Sequence, residues 1–97
     1  MSINRIAKRV DANQTQVVSA LRAAGFHVEI LSKPVDLLVG AEGKWCLLEV
    51  KDGNKPKSAQ KLTAAQVSFF DKYQKYPLFV VDSPDVAVAM VREFCHE

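Results

Sequence analysis

Two apolar runs on either side of a turn constrain this chain most. They are VDLLVG (residues 35–40) and KWCLLEVKD (44–52), with Ala41-Glu42-Gly43-Lys44 at the break. Each run is rich in apolar residues on both of its faces, as strands at the centre of a covered sheet are. The break has the length of a β-hairpin connection. With 97 residues in total, the chain has room for one domain and one modest core, so this hairpin should lie at the centre of that core.

The flanking segments fit around it. Residues 11–24, DANQTQVVSALRAA, read as a helix. Asp11 is its candidate N-cap, Gln14 stands at the capping-box position, and Val17, Val18 and Leu21 form a buried stripe. Gly25 is a left-handed stop. FHVEILS (26–32) alternates, with Phe26, Val28 and Ile30 facing one way and His27 and Glu29 the other. GNKPKSAQK (53–61) is a polar, basic loop. LTAAQVSFFDKYQKY opens a second helix, with Thr63 and Gln66 as a capping box and Leu62 and Val67 as a hydrophobic staple. PLFVV (77–81) is a short strand. Ser83-Pro84 starts a last helix that runs to about Phe94. The expected order is α-β-β-β-α-β-α. A meander of three strands is followed by a fourth that runs parallel to the third after a right-handed crossover. The sheet is therefore mixed, with helices flanking it.

The hairpin also brings charge together. A two-residue and a four-residue loop centred between Glu42 and Gly43 give the same register, which sets Asp36 opposite Glu49. Their Cβ atoms would be roughly 5 Å apart on one face, with Lys51 on that face two residues further on. Opposed carboxylates on an apolar sheet repel each other, and burying them without a partner costs more still. Lys51 can compensate, giving a surface Asp36–Lys51–Glu49 salt-bridge triad. A divalent cation can also compensate. The apolar flanks Leu37, Leu38, Val39, Leu47, Leu48 and Val50 argue against an exposed triad. Ligand oxygens about 2.1 Å from an octahedral ion lie about 3 Å apart, a gap that opposed Asp and Glu side chains can span. An all-oxygen set favours Mg²⁺ or Mn²⁺ over zinc.

These residues resemble a known family. PVD followed by EVK is similar to the PD-(D/E)XK nuclease signature, with Asp36, Glu49 and Lys51 at the matching positions. The segments DANQ, VDLLVG, LLEVKDG, SAQKLTAAQ and VVDSPDVAVAMV together resemble the VRR-NUC group of phage and prophage proteins. That group is in turn similar to Holliday-junction resolvases. The likeness runs from about Asp11 to Val91. It implies a restriction-endonuclease-like αβββαβα fold in which Asp36, Glu49 and the carbonyl of Val50 hold the metal. Lys51 would orient the attacking water or stabilise charge on the scissile phosphate. A valine stands between Pro34 and Asp36, so the motif is not a strict PD. Relatives often carry an acid on the first helix, where this chain offers Gln14 on the inward face and Gln16 off it. Gln14 is the expected site residue, with service in the capping box as its other reading. Gln66 is read in the same two ways, because the family places a glutamine beside the lysine.

The expected activity is therefore metal-dependent hydrolysis of DNA phosphodiester bonds, in branched or structured DNA such as four-way junctions. Lys55, Lys57 and Lys61, alongside Lys51, would track phosphates, although such a run can equally be a solvated loop. Cutting both strands of a junction symmetrically takes two centres, so a homodimer is expected. The competing readings are a nucleic-acid-binding module of the same fold without turnover, and a partner-binding phage protein. The formal net charge of +2 adds little to either. Residues 1–10, with Arg5, Lys8 and Arg9, are expected to form a flexible basic arm. No membrane-spanning run, signal-peptide stretch, nucleotide-binding loop or Ser-His-Asp set is apparent. The two cysteines lack metal-ligand spacing, which fits a reduced, cytoplasmic protein. Trp45, on the Glu49 face, reads as core or rim, and His27 and His96 are given no catalytic role.

Overall fold

The computed structural model describes residues 12–53 and 61–96. The expected helix cap Asp11, the basic arm and most of the basic loop lie outside these residues. The described elements are α1 (Ala12–Ala23), β1 (His27–Ile30), β2 (Leu37–Ala41), β3 (Lys44–Val50), α2 (Ala64–Lys72), β4 (Leu78–Val81) and α3 (Pro84–Cys95). The strands form one mixed sheet in the order β1-β2-β3-β4. The first two pairings are antiparallel and β3–β4 is parallel. The αβββαβα order expected from the sequence is thus the architecture observed.

The hairpin register follows from its turn. Glu42 and Gly43 both have positive φ, 53° and 79°, the twist that a two-residue connection requires. Ala41 then faces Lys44, and Leu37 faces Leu48. α1 stops as its sequence indicates. Gly25 takes φ 92°, its N–H donates to the Arg22 carbonyl, and the Phe26 N–H donates to the Leu21 carbonyl. This paired Schellman closure uses up two terminal carbonyls of the helix.

α1 and α3 pack together on one face of the sheet. The core joins Val17, Val18 and Leu21 of α1 to Leu37, Val39, Cys46, Leu48, Val50 and Val81 of the sheet, and to Ala87 and Val91 of α3. The alternate sheet positions Leu38, Trp45, Leu47, Glu49 and Leu78 face the other way. α2 lies on that side but has no buried residue. Its Phe69, with Tyr73 and Tyr76 just beyond the helix and with Leu47 and Leu78, lines a shallow apolar cleft. Trp45 spreads over Gly40, where an added Cβ would come within 2.8 Å of its ring, yet it remains 53% exposed.

Several sequence expectations are corrected. The first strand spans only four residues of the expected seven; Ile30 shares the face of Val28, as expected, but at the strand's end it is 53% exposed. β1 is an edge strand, so its last residue extends past the covering helices. α2 ends at Lys72 rather than near Tyr76, capped through the Tyr73 N–H to the Phe69 carbonyl. Val67 is largely exposed, so the expected staple buries little. Among the described residues, no helix is long and apolar enough to cross a membrane.

Candidate active site

The hairpin register carries Asp36, one residue before β2, to a position opposite Glu49 on β3. The N–H groups of Leu47 and Lys51 both point toward β4, donating to the Pro77 carbonyl at 3.0 Å and the Val81 carbonyl at 2.8 Å. By strand alternation the N–H and C=O of Val50 point the other way, toward the β2 side. In this register the ladder partner of Val50 would be residue 35, but β2 begins only at Leu37. Asp36 fills the place instead: its Oδ2 accepts from the Val50 N–H at 2.8 Å. The Asp36 carboxylate and the Val50 carbonyl are therefore brought to the same side of β3.

Glu49 and Lys51 project from the sheet face opposite the main core. Lys51 Nζ lies 3.1 Å from Glu49 Oε2. This is a charge-assisted pair with little water around it, because Glu49 is only 5% exposed. The second oxygen, Oε1, is buried and has no hydrogen-bond partner among the described residues. A carboxylate oxygen rarely stays buried without a donor or a cation. The contacts seen here are a Glu49–Lys51 ion pair and an Asp36–Val50 side-chain-to-backbone bond.

Gln14 is buried, as its place on the inward face of α1 implied. The residue has an interaction partner. Gln66 completes the capping box. Its Oε1 accepts from the Thr63 N–H at 3.0 Å, and Thr63 Oγ1 accepts from the Gln66 N–H at 3.2 Å. Its Nε2 reaches the Pro34 carbonyl at 3.5 Å, tying the start of α2 to the segment that delivers Asp36. The helix-cap reading of Gln66 is thus realised. Lys61 is exposed, and Lys55 and Lys57 lie outside the described residues.

Sequence reasoning missed Asn13. Its Nδ2 donates to the Lys51 carbonyl at 2.7 Å and the Asp82 carbonyl at 3.2 Å, joining the first turn of α1 to the ends of β3 and β4. The available signal was its place four residues before Val17, next to the buried stripe.

Among the described residues, no group of three or more His, Cys, Asp or Glu is arranged to hold a metal. The donor set at the end of the hairpin is two carboxylates and a main-chain carbonyl, all oxygen. Glu49 Oε1 is the oxygen of this set without a partner among the described residues. An all-oxygen donor set of this kind is the type that suits a hard cation. Comparison of the chain with protein-family models, with curated proteins and with solved structures gives no match in any of the three.

Proposed function

We propose that the chain is a Mg²⁺- or Mn²⁺-dependent endonuclease that hydrolyses phosphodiester bonds in DNA, with branched or structured DNA such as four-way junctions as its substrate. The observation that carries this reading is Glu49. It is a buried carboxylate with one oxygen against Lys51 and the other without a partner among the described residues, opposite Asp36 in the hairpin register. The resemblance of VDLLVG and LLEVKDG to PD-(D/E)XK nucleases supports the same assignment.

Asp36, Glu49 and the Val50 carbonyl would hold the ion, which when bound would supply Lewis-acid stabilisation and a more acidic water. Lys51, kept beside Glu49, would face the scissile phosphate and orient the nucleophilic water or neutralise charge as it develops. Asp36 keeps its carboxylate in place by bonding β3 directly. Gln14 would be the first-helix residue in this role, a neutral group where an acid would bind the ion more strongly. Gln66 would hold the Pro34–Asp36 segment while capping α2. Lys55, Lys57 and Lys61 would follow the phosphate backbone, giving salt-sensitive binding with little base readout.

Two centres are needed for paired cuts, so the working unit would be a homodimer acting in the cytoplasm.

The test is cleavage of a four-way junction and of a linear duplex with Mg²⁺ or Mn²⁺, by wild type and by Glu49→Gln and Glu49→Ala. Loss of cleavage in both variants supports the assignment, and equal cleavage by all three sinks it. Gln14 favours a second reading, a DNA-binding module of this fold without turnover. Calorimetry showing DNA binding but no Mn²⁺ binding would select it.

A further inference from the structure

We infer that Asn13 is a positioning residue for Lys51, holding the lysine backbone so that its ammonium group meets Glu49. The inference rests on the nuclease reading, because it gives Lys51 its chemical task.

Asn13 sits where the β3–β4 ladder ends. The last rung is the Lys51 N–H to the Val81 carbonyl, at 2.8 Å. The next carbonyls along the two parallel strands belong to Lys51 and Asp82, and two neighbouring acceptors cannot bond each other. A side-chain amide nitrogen carries two hydrogens, enough to satisfy both. Asn13 Nδ2 does this at 2.7 and 3.2 Å. Aspartate offers only acceptors, serine a single donor, and glutamine the same two donors on a longer stem. The amide is therefore matched to this corner by donor number and by reach.

The consequence falls on Lys51. Its N–H is fixed by β4 and its C=O by α1, so both of its backbone torsions are held. A residue with torsions fixed on both sides has a fixed Cα–Cβ direction. Here that direction sends the side chain to Glu49 Oε2 at 3.1 Å. α1 is a firm anchor, since Val17 and Leu21 are fully buried one and two turns further along. The chain leaving Lys51 is pressed close as well: a Cβ on Gly53 would come 2.8 Å from the Asp82 carbonyl oxygen. Without the amide, the Lys51 carbonyl would turn to water and the lysine would lose its aim. Misplacing a reacting group by about 1 Å costs on the order of a hundredfold in rate.

The experiment compares wild type, Asn13→Ala, Asn13→Gln and a core variant, Val91→Ala, on cleavable DNA with Mn²⁺, with thermal melts of each. Asn13→Ala is expected to lower kcat about ten- to a hundredfold with KM for DNA nearly unchanged, and Asn13→Gln to recover part of the loss. Val91→Ala, which destabilises without touching the corner, should keep its kcat while folded. The inference is overturned if Asn13→Ala cleaves at the wild-type kcat, or if Val91→Ala loses kcat equally at matched stability. If the wild type cleaves nothing, the nuclease reading falls separately. The positioning claim is then decided by NMR of the Lys51 ammonium group: a signal shifted in Asn13→Ala upholds it, and an unmoved signal removes it.

Discussion

Asp36 Oδ2 accepts a hydrogen bond from the Val50 backbone N–H at 2.8 Å, so the carboxylate stands in for the strand rung that residue 35 would otherwise make. A group proposed to hold a metal thus also finishes the sheet. The two duties separate by substitution. Asp36→Asn keeps an acceptor oxygen and loses the charge, so it should melt near the wild type and fail to cleave DNA. Asp36→Ala also leaves the Val50 N–H without its acceptor, a loss of about 1–3 kcal/mol. Urea titrations of both variants read the difference, and equal stability of the two would remove the rung from Asp36.

Lys51 and Glu49 form the second relationship. Removing one member of a buried ion pair leaves the other uncompensated, at a cost of about 3–5 kcal/mol. Lys51 keeps some exposure, which places Lys51→Met at or below the bottom of that range. Adding Glu49→Gln to Lys51→Met removes the stranded charge and should recover part of the loss. A double-mutant cycle in chemical denaturation measures the coupling. Additive effects would mean that the 3.1 Å contact contributes nothing to stability.

What the sequence made legible follows from what its patterns encode. The hairpin register was readable because a turn centred on Glu42 and Gly43 leaves no freedom once both strands are identified, and that register alone set Asp36 opposite Glu49. The starts of α2 and α3 were readable because Thr63, Gln66 and Ser83 cap locally. What escaped was set by distant neighbours. Nothing within residues 26–32 reveals that β1 lies at an edge, so alternation gives the face of Ile30 but not its exposure. Nothing near Tyr73 says that α2 stops at Lys72. Asn13 escaped because its acceptors, the carbonyls of Lys51 and Asp82, lie 38 and 69 residues away, and their convergence is a property of the assembled sheet. The bond between Asp36 and Val50 was missed for a related reason: alternation gives facing side chains, not a side chain that replaces a rung.

The turn carries its own prediction. Glu42 sits at φ 53°, a left-handed conformation that an ordinary side chain adopts at a cost and that asparagine tolerates better. Glu42→Asn should raise stability by about 0.5–1 kcal/mol without altering cleavage, as the turn lies at the far end of the hairpin from Glu49. A thermal melt with a parallel cleavage assay checks both parts. A lowered melting temperature would refute the turn assignment.

The Cys46 thiol supplies a pH dependence. Burial, aided by the nearby Cys95, pushes its pKa from the ordinary 9.0 up to about 12. In the unfolded chain the thiol ionises near 9, while in the folded protein it keeps its proton. Between those values the native state binds more protons, so stability is intact below pH 9 and falls as pH rises from 9 toward 12. One group contributes at most about 1.4 kcal/mol per pH unit. Denaturant unfolding from pH 8 to 10.5 should therefore fall more steeply for wild type than for Cys46→Ala, with the other titrating groups common to both. Thiol labelling gives an independent check. Cys95, half-buried, with its Sγ donating weakly to the Ala41 carbonyl at 3.7 Å, should react first, and Cys46 only as the fold opens. Parallel stability slopes together with equal labelling rates would show that Cys46 is not held as a buried neutral thiol.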